Sequence, residues 1–120
     1  MLTWAIIYGI FGLSLYFIPE LFMSTFGVEI NTDGAMLMAQ VLGSALTSFS
    51  VMFFINRNKP LTDTTQRNAL IANFVYVVID TPVACKYLIN GVMNTMGWIP
   101  VGVHIYLGLT MGYFLLIRKK

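Results

Sequence analysis

Charge is what this 120-residue chain has least of. Five Asp or Glu and seven Lys or Arg make up 10% of its residues, where a soluble domain carries roughly 25%. So few charges cannot coat a globule of this size, so water is not its main solvent. The net charge of +2 is too small to point to nucleic acid as a partner. The one cysteine, Cys85, excludes an internal disulfide framework. No Lys or Arg precedes Arg57, so the first apolar stretch lacks the basic n-region of a secretory signal, and no small-residue cleavage site follows it. That stretch is expected to stay as a first membrane span. Asn-x-Ser/Thr acceptors, Walker sequences, HExxH and Cys/His metal clusters are all missing. Short alternating strands are missing too, which argues against a barrel.

What is present is oil. Apolar residues form 58% of the chain, with nine Phe, six Tyr and two Trp, the opposite of a disordered composition. A membrane-crossing helix needs about 20 apolar residues, at about 1.5 Å each, to cross about 30 Å of hydrocarbon. Four stretches qualify: residues 2–18, ending at Pro19-Glu20; 35–55, after the cap cluster Asn31-Thr32-Asp33-Gly34; 69–89, ending at Asn90-Gly91; and 97–117, with Pro100 in the first turn. The expected fold is all-α, a single four-helix transmembrane bundle over residues 1–120.

Orientation follows from the cations. Arg57, Lys59 and Arg67 lie between spans two and three, and Arg118, Lys119 and Lys120 follow span four; the other side holds only Lys86, with Glu20, Glu29 and Asp33. The positive-inside rule then makes both termini cytoplasmic, and a bacterial inner membrane suits the missing cleaved leader. Trp4, Tyr87, Trp98 and Tyr113 fall where aromatic belts are expected. The short loops house no soluble domain. Between the first two spans, Leu21-Phe22-Met23 and Phe26 suggest an interfacial turn.

Ionisable groups inside a span are costly and usually face the bundle interior. Span three carries Asn73, Tyr76 and Asp80 on one face at spacings i, i+3 and i+7, and Pro82 is expected to kink the helix beside Asp80. Span two presents Gln40, Ser44, Thr47 and Ser48 with Gly43 alongside, and span four presents His104. Counted from the outer ends, Asp80 and Ser44 lie about 13 Å deep, His104 about 10 Å and Gln40 about 8 Å. The structural reading makes this layer hydrogen-bonded glue. The functional readings make Asp80 and His104 an acid–base pair, with Gln40, Ser44, Asn73 and Tyr76 completing a ligand site. A third use of His104 is as an axial ligand to a haem or pigment. Gly108 and Gly112 form a small-xxx-small step for helix packing. The eight Met read as packing filler, Cys85 as core, and Lys86 as a snorkelling end.

The run Phe17-Ile18-Pro19-Glu20-Leu21-Phe22, followed by Phe26-Gly27-Val28, resembles the opening of the DoxX-like group of small four-span membrane proteins. Members of that group often follow an apolar helix with a Pro-containing turn, an amphipathic piece and a Phe-Gly-Val-like ending. The likeness covers about 60 N-terminal residues and the four-span layout, and it implies fold more than activity. Where relatives often begin span two near an Arg, this chain has Gln40-Val41-Leu42-Gly43. Small multidrug transporters compare in length and span number, but their proton-coupling acid lies in the first helix, and Asp80 would have to take that role here.

These features lead to three functional expectations. The first is a non-catalytic subunit or interaction partner of a membrane assembly, in contact with membrane lipids and with other membrane chains or further copies of itself. It would hold a lipid or other lipophilic cofactor rather than a protein-ligated metal. The second is a membrane-embedded enzyme acting on a lipophilic small molecule through Asp80 and His104. The third is a small proton-coupled transporter.

Overall fold

A computed structural model describes residues 1–116 as helices and connections, with no strand among the described residues. The last residues expected in span four and the basic tail, Ile117, Arg118, Lys119 and Lys120, lie outside the described residues. The helices are α1 (Leu2–Phe17), α2 (Pro19–Thr25), α3 (Asp33–Ile55), α4 (Thr64–Ile89) and α5 (Trp98–Leu116), with a 3-10 turn at Thr95–Gly97. Packing divides the chain into two compact units, Met1–Arg57 and Asn58–Lys120.

In the first unit α1 and α3 form an antiparallel pair. Trp4 meets Phe53 at one end, with ring centroids 5.5 Å apart, and Gln40 donates to the Tyr16 carbonyl at the other. Glycine sets the spacing between them. A Cβ on Gly12 would stand 2.6 Å from the Thr47 backbone nitrogen, and one on Gly43 would stand 2.7 Å from the Gly12 carbonyl oxygen. The helices thus cross with backbone against backbone. The Ser50 hydroxyl adds a bond across the pair, donating to the Ala5 carbonyl at 2.6 Å.

The expected first span ends earlier than its apolar run. Pro19 disfavours helical angles at the residue before it, and Ile18 stands at φ −134° and ψ 49°. The helix therefore stops at Phe17, and at 16 residues it is about 24 Å long. The expected interfacial turn is itself helical: α2 departs from α1 at 118° and brings Phe22 back against Phe11, with ring centroids 5.4 Å apart. Three helices are long and apolar enough to cross a membrane, and the bent α1–α2 pair makes a fourth if it counts as one span. That fits an integral membrane protein. Trp4 is a further difference. It is buried against Phe53 rather than displayed in an aromatic belt, whereas Tyr87, Trp98 and Tyr113 are exposed.

Caps mark the longer helices. The Thr32 hydroxyl accepts from the Ala35 N–H at the start of α3, and the Asp63 carboxylate accepts from the Gln66 N–H at the start of α4. The Asp63 cap starts α4 five residues before the apolar run begins, which makes Thr64, Thr65, Gln66, Arg67 and Asn68 helical. At its far end Gly91 takes φ +75°, and the Val92 N–H reaches the Tyr87 carbonyl, a left-handed glycine stop. The helix runs unbroken through Pro82 to Ile89.

The second unit is the antiparallel pair α4 and α5. Its register is marked by Gly108 opposite Val77 and Gly112 opposite Phe74. A Cβ on either glycine would sit 3.4 and 3.2 Å from those side chains, so this pair packs through side chains.

The two modes of packing predict different tolerance to added methyl groups. Gly43→Ala should destabilise the first unit by about 1–3 kcal/mol, the usual cost of overpacking. Gly102→Ala should leave stability unchanged or raised, because nothing lies within 4 Å of a Cβ there. Unfolding in mixed detergent micelles checks both.

Candidate functional site

The polar residues of α4 and α5 meet at one level of the second unit. His104 Nε2 and Asp80 Oδ2 are 2.9 Å apart, and the Tyr76 ring centroid lies 6.2 Å from that of His104. Asp80 lies about 13 Å from the Ile89 end of α4, and His104 about 9 Å from the Trp98 end of α5, at the rise of a helix. The His104 side chain is 15% exposed and that of Asp80 38%.

Proton positions at this pair follow from valence. His104 Nδ1 lies 2.7 Å from the Pro100 carbonyl oxygen. A carbonyl only accepts, so Nδ1 carries a hydrogen and donates it. In a neutral imidazole Nε2 would then hold only a lone pair, which cannot face a carboxylate oxygen at 2.9 Å without a proton between them. The pair therefore holds that proton, as imidazolium with carboxylate or as imidazole with carboxylic acid. In both forms its net charge is zero, as an apolar setting requires.

The other candidates divide between the units. Gln40 and Ser44 belong to the first, where Gln40 bonds the Tyr16 carbonyl and Ser44 bonds the Val41 carbonyl within its own helix. Asn73 is fully buried on α4 and donates to the Ala69 carbonyl, while its Oδ1 has no hydrogen-bond partner. Gln66, one heptad earlier and 1% exposed, likewise leaves Oε1 without a partner. Gln66 did not stand out in the sequence because it precedes the apolar run; the Asp63 cap and its spacing of seven from Asn73 are the signals that place it on the same face. The Pro100 carbonyl was hidden as well, being backbone one turn before His104.

A groove of about 660 Å³ runs along α4 and α5, lined by Phe74, Val77, Val78, Pro82, Ile105 and Leu109 together with Gly108 and Gly112. It extends about 18 Å at a helical rise, from His104 to Leu116. His104 lines one end; Asp80 is not among its walls. Both imidazole nitrogens are engaged, so axial ligation of a haem would first have to take Nε2 from Asp80 or Nδ1 from Pro100. Among the described residues no group of three or more His, Cys, Asp or Glu could hold a metal ion.

Comparison of this chain with protein-family models, with curated proteins and with solved structures finds no match.

Breaking the pair should cost more than replacing it. His104→Leu alone should destabilise the protein more than His104→Leu with Asp80→Leu, with a coupling of about 1–3 kcal/mol, because the single change strands a carboxylate among apolar groups. A double-mutant cycle of unfolding in micelles measures it.

Proposed function

We propose that this protein is a non-catalytic component of a membrane assembly that holds a lipophilic molecule at the Asp80–His104 pair. The supporting observation is the engagement of both imidazole nitrogens, Nδ1 by Pro100 and Nε2 by Asp80. An imidazole so held has no free nitrogen with which to take a proton from a substrate, whereas the part-exposed carboxyl of Asp80 can still contact a ligand. The apolar groove ending at His104 supports a lipophilic occupant nearby. Large exposed apolar side chains, such as Ile79 and Leu109, support contact with lipid and with other membrane chains or further copies of this one.

In this reading both termini and the 56–63 connection are cytoplasmic, in a bacterial inner membrane. The antiparallel course of α1 along α3 supports the first part, since it sets the start of α1 at the Arg57 end of α3. The Pro19 turn and the folded-back α2 suit a relationship to the DoxX-like group.

The competing reading is an enzyme in which the proton held between Nε2 and Oδ2 is passed to a lipophilic substrate. Asp80→Asn separates the two. The amide keeps a hydrogen-bonding group beside His104 and removes the titrating carboxyl. In the holding reading the variant, purified in gentle detergent, keeps its bound lipophile and its partner chains by mass spectrometry. Asp80→Leu should lower recovery of the lipophile several-fold. Recovery of the wild type as a lone monomer that turns over a substrate, with turnover abolished by Asp80→Asn, would overturn the holding reading in favour of the enzyme.

A further inference from the structure

The proton balance at the pair also restricts what it can hold. Nδ1 donates to Pro100, and one more proton lies between Nε2 and Oδ2. If His104 formally keeps that proton, Asp80 is a carboxylate and Oδ1 is an acceptor. If Asp80 keeps it, the O–H points at Nε2, and Oδ1 is the carbonyl oxygen of an acid, again an acceptor. The outward oxygen therefore accepts in either form. With 38% of the Asp80 side chain exposed, Oδ1 is the atom of the pair left for a ligand.

Charge and depth narrow the class further. The pair is neutral overall, so it offers no net attraction to an ion. It lies about 9–13 Å inside the ends of its helices, where a phosphate or an ammonium group would lose its hydration without compensation. A lipid whose headgroup stays at the membrane surface does not reach this level with its polar part.

We infer that the Asp80–His104 pair binds the O–H or N–H group of an uncharged, membrane-dissolved molecule, and not the carbonyl oxygen of a ketone, aldehyde or ester. The inference rests on the ligand-holding reading above and adds the chemical class of the ligand. Alcohols, phenols and secondary amides on an apolar body belong to that class. Ethers and simple carbonyl compounds of the same size do not, because they would set a lone pair against Oδ1.

A matched pair of probes tests it. The full chain is placed in nanodiscs of a zwitterionic phosphatidylcholine and titrated with 4-dodecylphenol or its methyl ether, 4-dodecylanisole, which lacks only the donor. The chain has a single histidine, so ¹⁵N-histidine labelling reports His104 alone. The phenol should bind about tenfold more tightly than the ether, the factor one such hydrogen bond supplies, and should shift the Nε2 resonance. Asp80→Leu should abolish the preference. Asp80→Asn should retain it, since its NH₂ can face Nε2 and leave its carbonyl oxygen as the outward acceptor. Equal binding of both probes, lost together in Asp80→Leu, would overturn the donor requirement while leaving the site standing. Binding of neither probe, or binding indifferent to Asp80→Leu, would overturn the ligand-holding reading and this inference with it.

Discussion

A polar group facing hydrocarbon has no water to bond, so each must find a partner inside the protein. Most of the hydroxyls and amides on these helices meet that demand locally, by donating to a carbonyl three or four residues back. Thr47 bonds Gly43, Ser48 bonds Ser44, Asn56 bonds Met52, Asn73 bonds Ala69, Thr81 bonds Val77 and Thr110 bonds Tyr106. Residues that might serve as site groups in water are here absorbed by their own helix. His104 is different because its ring has two nitrogens. The first is satisfied locally by Pro100, and the second reaches across to another helix. Asp80 has no such local option, being an acceptor surrounded by carbonyls that are acceptors too, and so its partner had to come from α5.

The two helix pairs apply the same constraint in different ways. In α1 and α3 the glycines bring the backbones close enough that Thr47 and Gly43 line the crossing, leaving little space between the helices. Without a hydrophobic drive between helices in lipid, such close packing is a main source of association. In α4 and α5 the glycines Gly108 and Gly112 face Val77 and Phe74 at ordinary contact distance, and a groove remains beside them. A tightly crossed pair suits a structural element. A looser pair with a polar contact at one level suits the holding of a small molecule.

Some of this was legible from residue order. The long apolar runs located α3, α4 and α5, the Thr32 cap located the start of α3, and the heptad spacing of Asn73 and Asp80 placed them along one face of α4. The polar opening of α4 was not legible from hydropathy, because helix there is held by the Asp63 cap and by hydrogen bonds rather than by apolar content. The length of α1 was misjudged by one residue at its end but more seriously in its consequence. Pro19 does more than end a helix, since it redirects the chain by 118° and folds Phe22 onto Phe11. Trp4 looked like a belt residue by position, and only packing against Phe53 makes it core.

Residue order by itself determined the solvent of the chain, its helical class and the level at which its few ionisable side chains lie, since these depend on composition and on a rise of about 1.5 Å per residue. It placed Asp80 and His104 at similar depths without saying whether they meet. Tertiary structure decided that, because contact depends on how α4 and α5 turn about their axes, and that rotation is set by the Gly108 and Gly112 contacts with Val77 and Phe74. The proton held between them is a property of the contact, absent from either residue alone.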